Sequence, residues 1–388
     1  MNIGKKSTFL CYIMNLSSAV CITMIGPTLP QISKEFSFDL SGLGILLTCQ
    51  FVGFTVFVVA SGIASDRIGK KSVVSAALIT LTVACFAFSF AAGTLSLCLA
   101  LLFLGGGMGI LETMSNALLA DINPDDAVFQ VNFLQVFFGI GAILGPIIIG
   151  YAYSKGVSWR TVYKSCGALM IFLSLWFVAN KLPELPKTEK IKLSYVKDLF
   201  FDKRFFMICL CMFFYTGAET SGWGWMSTYT ERNLGFSVME ASAAVAVFWI
   251  AVTLGRLAIS FSIRKFEVRR MIMSLAFLTG IICVIMGAAK ERWLVWLVIF
   301  LLGLACSSQW GLILSYGTER YRRNSGTVFA MLVASGSVGM SAVPYLTGVV
   351  GDLFGMRSAL LIPGMLFIMI SLAFAVIPRL KTNEENFQ

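Results

Sequence analysis

The chain has 388 residues, of which 57% are hydrophobic and only 13% charged, with a formal net charge of +10 and no histidine. Soluble domains carry roughly a quarter charged residues, so this composition excludes a soluble globular protein. It also excludes a nucleic-acid binder, because a basic surface needs an exposed face and no stretch remains to build one.

In chain order, apolar runs of helical length fall near 8–29, 43–65, 72–93, 96–118, 130–153 and 161–180, and six more near 205–227, 241–263, 270–288, 293–316, 326–350 and 358–378. As a helix rising 1.5 Å per residue, each run crosses a hydrocarbon core of roughly 30 Å. The expectation is an all-α integral membrane protein with twelve transmembrane helices, here spans 1–12. The first run continues past Pro27 and Pro30 without a small-residue cleavage site, so span 1 reads as retained. With both termini on one side, 21 Lys and Arg fall on that side, eight on the other, and Arg256 within a span. This bias sets the N- and C-termini in the cytoplasm, in a plasma or inner membrane. The loop after span 4 departs from it, with Asp121, Asp125 and Asp126 and no base. Ten cysteines are scattered through the spans; Cys209 and Cys211 lack metal-ligand or redox spacing and read as small packing residues.

Between spans 2 and 3 the chain reads Gly62-Ile63-Ala64-Ser65-Asp66-Arg67-Ile68-Gly69-Lys70-Lys71. One acid and three bases cannot lie in hydrocarbon, so this is a tight aqueous turn. A basic stretch over 181–204 then separates an N-terminal six-span half (1–180) from a C-terminal one (205–388). The halves echo each other. Gly141, Pro146 and Gly150 of span 5 repeat as Gly339, Pro344 and Gly348 of span 11, offset by 198, and the same offset carries Leu104-Gly105 onto Leu302-Gly303. Such parallel repeats imply two six-helix bundles about an axis normal to the membrane, with a solute site between them near the midplane. The repeated glycines and prolines, with Gly145, read first as helix-packing positions.

Charges at bilayer depth are functional candidates by default. Glu112 is the one carboxylate well inside the first-half spans, and Glu219 the one in the second half. Glu112 follows Gly105-Gly106-Gly107-Met108-Gly109 and shares a helix face with Asn116. The glycines leave room for a ligand or a neighbouring helix. An isolated carboxyl there can load and release a proton; the alternative is a protonated acid bonded to a backbone carbonyl or to Asn132. In span 7, Tyr215, Glu219 and Trp223 recur every four residues in one stripe. An acid between aromatic rings suits a sugar, taking hydroxyl protons while the rings cover C–H faces. Trp223 and Trp225 fit an interfacial aromatic belt equally well. Asn15, Gln50, Gln309 and Trp310 are candidates to complete the cavity. Arg256 reads as an interfacial or structural cation.

The 62–71 turn resembles the loop between helices 2 and 3 of the major facilitator superfamily: glycine, two small or apolar positions, Asp-Arg, glycine and two bases. The resemblance covers the whole chain and implies the major facilitator fold working by alternating access. It also implies a gating role for Gly62, Asp66, Arg67, Gly69 and Lys70, with Asp66 facing local bases or the positive end of span 11 near Ser325. More narrowly, Glu112-Thr113, Asn116, Asn132 and Phe138-Gly139-Ile140-Gly141 ahead of Gly145-Pro146 are similar to the fucose/hexose–proton symporter branch. So are Tyr215-Thr216-Gly217-Ala218-Glu219, Trp223 and Phe248-Trp249 leading to Gly255-Arg256-Leu257. That branch ties a span 4 Glu and a span 1 Asp to proton coupling and sugar binding. This chain keeps Glu112 but has only Asn15, Ser17, Ser18 and Thr23 in span 1, and Phe103 stands near where many members carry a span 4 arginine. Gly141-x-x-x-Gly145-Pro146 partly resembles the span 5 motif of proton-coupled drug antiporters, departing from it at Gly150.

The expected function is proton-linked transport of a small polar solute, a sugar or related polyol, with Glu112 and Glu219 coupling protons. Asn15, Gln50, Asn116, Asn132, Tyr215, Trp223, Trp249, Gln309 and Trp310 would bind solute. The alternatives are an exporter of amphipathic drugs or metabolites, and a non-transporting receptor on the same fold. The expected partners are solute, protons and the lipid bilayer, with the chain working as a monomer. No metal, cofactor or nucleic acid is expected. Without histidine, a nucleotide loop or a nucleophile constellation, neither is an enzyme.

Overall fold

The computed structural model describes residues 3–123, 126–180, 199, 201–262, 266–321 and 325–377. They form twelve helical spans long and apolar enough to cross a membrane. In the N-terminal half these are Ile3–Thr23 continued as Ile25–Phe36 (span 1), Leu40–Ile68, Lys70–Ser89, Thr94–Ile122, Ala127–Ser154 and Trp159–Ala179. In the C-terminal half they are Lys203–Leu234 (span 7), Val238–Ser262, Val268–Ala288, Arg292–Cys306 continued as Gln309–Arg320 (span 10), Ser325–Phe354, and Met356–Ala359 continued as Leu361–Val376 (span 12). The stretch expected as a linker lies outside the described residues as far as 198. Span 7 begins inside it, at Lys203, because Asp202 caps the helix by accepting from the amides of Arg204 and Phe205.

Three spans are broken, each for a local reason. Pro27 lacks the N–H that would bond the Thr23 carbonyl, and span 1 breaks at Met24. Pro363 leaves the Ala359 carbonyl without its donor in the same way, and span 12 breaks at Leu360. Span 10 breaks without a proline. There Ser307 Oγ donates back to the Leu304 carbonyl at 2.8 Å, a bond that bends helices.

Glycines set the packing, and the duplication holds at the level of contacts. A Cβ on Gly105 would overlap the Gln50 carbonyl of span 2, and one on Gly303 would crowd the Phe248 carbonyl of span 8. Gly141 lies against Leu16 of span 1, and its counterpart Gly339 against Phe213 of span 7. Gly150 meets Ser242 of span 8, and Gly348 meets Leu40 of span 2. Equivalent residues thus touch equivalent helices, and the fold is two six-helix bundles related by the repeat. Gly106 and Gly109 likewise close on Phe57 and Phe54, and Gly107 on Leu81, so the run before Glu112 admits neighbouring helices.

The even number of spans brings both ends of the chain to one side, the terminal end. At the opposite, far end the bundles are joined. Lys34 pairs with Glu231 at 2.6 Å, and Arg232 donates to Ser33. Asp352 accepts from the amides of Leu40 and Ser41, and Thr48 Oγ1 donates to the Ser341 carbonyl at 2.8 Å. At the terminal end, Lys70–Asp121, Lys71 with the carbonyls of Val178 and Asn180, and Tyr321–Asp202 each join helices of one bundle. The Lys70 pair also accounts for Asp121 in the otherwise unbalanced acidic loop.

Candidate functional site

Glu112 of span 4 and Glu219 of span 7 come from different bundles, and both are half-buried. Arg256 of span 8, also half-buried, stands within electrostatic range of both carboxyls. Its Nε donates to the Ser307 carbonyl at 3.1 Å, a group exposed by the break in span 10. The Arg256 guanidinium therefore satisfies a carbonyl at the break in span 10. The sequence reading left Arg256 as an interfacial or a structural cation, and its bond to Ser307 gives it a structural contact that a helix wheel alone cannot show.

Around the acids the partners are short-range. Tyr215 is fully buried and its hydroxyl donates to Glu219 Oε1 at 2.7 Å. Asn116 Nδ2 donates back to the Glu112 backbone carbonyl at 2.8 Å. One turn beyond Glu219, toward the far end, the rings of four spans form a chain. Phe51 of span 2 meets Trp223 at 6.3 Å between centroids, Trp223 meets Trp249 of span 8 at 6.1 Å, and Trp249 meets Phe138 of span 5 at 5.9 Å. The chain runs from one bundle through the other and back. Trp223 and Trp225 are both buried, and Trp225 Nε1 donates to the Pro344 carbonyl at 3.0 Å. Neither belongs to an interfacial belt. Phe51 and Phe138 carried no polar signal that could have marked them in the sequence.

Other candidates bond within one bundle. Asn15 donates to the Leu134 carbonyl of span 5, Gln50 contacts Met108 Sδ of span 4, and Gln309 donates to Thr279 Oγ1 of span 9. All three are fully buried in seams within a single bundle. Trp310 is 39% exposed. Gly62 and Arg67 are exposed, and Gly69 turns the chain at φ 82°. The side chains of Asp66, Asn132 and Ser325 lie outside the described residues.

Two repeated six-helix bundles, joined by polar contacts at the far end and each holding a half-buried acid within its spans, define a membrane transporter of the two-bundle class. The chain belongs to the Major Facilitator Superfamily, whose profile matches residues 11–322 and 208–388. It is 23% identical over 363 residues to a protein TsgA homolog of Buchnera aphidicola subsp. Baizongia pistaciae, covering 93% of this chain and 91% of that one. It is 20% identical over 374 residues to protein TsgA of Escherichia coli, covering 94% and 93%. Among solved structures it resembles a bacterial homolog of the human lysosomal transporter Spinster in an inward-facing, unoccupied conformation. There the TM-score is 0.81 at 15% identity, covering 98% of this chain and 99% of that one. For the E. coli fucose:proton symporter FucP the TM-score is 0.66 at 19% identity, covering 98% and 100%. For a D-xylose–proton symporter it is 0.78 at 15% identity, covering 96% and 97%.

Proposed function

We propose that the chain is a proton-linked secondary transporter of a small polar solute, a sugar or related polyol, working by alternating access between its bundles. The observation that carries this reading is the placement of Glu112 and Glu219 as a half-buried carboxyl in each bundle. With the Arg256 cation in span 8, adding or removing a proton at either acid changes the electrostatics between the moving bundles. With no histidine in the chain, carboxyls are the groups left to carry that proton. Glu112 is the proton carrier, while Glu219, Tyr215 and Asn116 face the solute. The Phe51–Trp223–Trp249–Phe138 rings form the roof on which it rests. Two proton-linked sugar symporters among the structural neighbours support the solute class.

The terminal end is cytoplasmic in this proposal, following the distribution of Lys and Arg, and the membrane is a plasma or inner membrane. The far end is then external. The polar contacts that join the bundles there support an inward-facing state. A single chain supplies the acids, the cation and the rings, so the monomer is the working unit.

Radiolabelled hexose and fucose uptake into proteoliposomes, with and without an inward proton gradient, tests the proposal on wild type and Glu112→Gln. The expected result is gradient-driven accumulation in wild type, with accumulation lost and exchange kept in the variant. The ring chain would also serve an amphipathic solute. Absence of sugar flux alongside dye extrusion would therefore replace this reading with export.

A further inference from the structure

Two turns of the chain share a pattern. Asp66-Arg67-Ile68-Gly69-Lys70-Lys71 links spans 2 and 3, and Asp352-Leu353-Phe354-Gly355-Met356-Arg357 links spans 11 and 12. Gly69 and Gly355 hold the same backbone conformation, φ 82° with ψ 150° and φ 81° with ψ 154°, a left-handed region that favours glycine. Spans 2 and 11 have 29 and 30 residues and pack side by side. They run antiparallel: Leu40 meets Asp352, Gly44 meets Tyr345, and Thr48 meets Ser341. The same register, continued, sets position 66 opposite the first residues of span 11.

At the far end the contact is complete. Asp352 Oδ1 accepts from the Leu40 amide at 2.9 Å and Oδ2 from the Ser41 amide at 2.6 Å. These are the first two amides of span 2, donors without partners in their own helix and seated at its positive end. Asp39 serves the next two, its Oδ1 accepting from Gly42 and its carbonyl from Leu43. Half of the cap of span 2 is thus lent by the other bundle. A helix that needed only a cap could draw it from its own loop, as Gly42 does.

We propose that Asp352 is the far-end latch of the transport cycle, reciprocal to the role that the family resemblance implies for Asp66. Asp352 at the end of span 11 is set against the first amides of span 2, and Asp66 is its counterpart in sequence at the end of span 2. Rigid bundles that rock about their middle can close one such contact only by opening the other. The inference rests on the alternating-access reading, and Asp352 acts as a gating residue that touches neither solute nor proton.

Hydrogen–deuterium exchange of the full-length protein in nanodiscs tests it with Asp352→Asn, Leu40→Pro and Asp66→Asn. Proline is tolerated at the first helical position, so Leu40→Pro removes one donor while leaving Asp352 in place. It keeps the test decisive should Asp352→Asn fail to fold. Both far-end variants should speed exchange in the outer thirds of spans 1, 2 and 7 by roughly tenfold, the effect of losing a charged cap at a helix N-terminus. They should slow exchange at the start of span 11, while Asp66→Asn moves both ends in the opposite sense. Acceleration confined to residues 40–44, with the start of span 11 unchanged, would reduce Asp352 to a local cap and overturn the latch. A response to Asp66→Asn without one to the far-end variants also overturns it, leaving alternating access intact. Silence from all three variants would overturn alternating access as well.

Discussion

Arg256 shows how one residue can join stability to mechanism. Its Nε satisfies a carbonyl freed at the break in span 10, and its charge is the cation the proposed function uses alongside the two acids. Losing it would expose a backbone acceptor and remove the cation of the proposed site, so its two roles cannot be separated by deletion alone. Asp202 offers a cleaner case outside the membrane. Partial burial pushes its carboxyl upward, but bonds from the Tyr321 hydroxyl and the amides of Arg204 and Phe205 outweigh this and hold it below the ordinary carboxylate range. A depressed folded-state value stabilises the protein above the unfolded value of about 4, and that stability is lost as pH falls below it. Asp202→Asn and Tyr321→Phe should each cost roughly 1–2 kcal/mol at pH 7. The gap to wild type should narrow toward pH 3 in thermal unfolding in detergent. A gap that stays constant with pH would show that the charge on Asp202 is not what stabilises this junction.

Helices in this chain are placed by what their glycines lack. Gly105 and Gly62 lie in adjacent spans of the same bundle, yet they differ in surroundings. A Cβ on Gly105 overlaps the Gln50 carbonyl, whereas one on Gly62 has nothing within 4 Å. Gly105→Ala should therefore cost roughly 1–3 kcal/mol through overpacking. Gly62→Ala should be neutral or stabilise by up to about 1 kcal/mol, by restricting the unfolded chain. Melting temperatures of the two variants in one detergent check the contrast. Equal losses would mean that the helices can move apart to admit a methyl group. The breaks in spans 1 and 12 follow from Pro27 and Pro363 and could be read in the sequence. The break in span 10 rests on a serine bond and a distant arginine, which no local pattern announces.

The junction at the far end belongs to neither residue nor helix but to how the bundles meet. Lys34–Glu231, Arg232–Ser33 and Asp352 with span 2 all cross the interface at the far end. If the bundles must part there in each cycle, a disulfide formed by Lys34→Cys with Glu231→Cys should abolish flux, and a reductant should restore it in the same vesicles. Flux that survives oxidation, with the cross-link verified by mass spectrometry, would exclude opening at that end. The number of spans, the repeat offset of 198 and the two isolated acids were legible in the sequence. Each depends on a strong local constraint: backbone groups in hydrocarbon must be satisfied within the helix, and a buried charge stands out in apolar sequence. Chain order could not reveal that Arg256 satisfies the carbonyl at the break in span 10, that Asn15, Gln50 and Gln309 sit in seams within a bundle, or that Asp352 caps a helix 312 residues away. Those relations arise from contacts between helices far apart in sequence, where packing between the two bundles decides which polar groups meet.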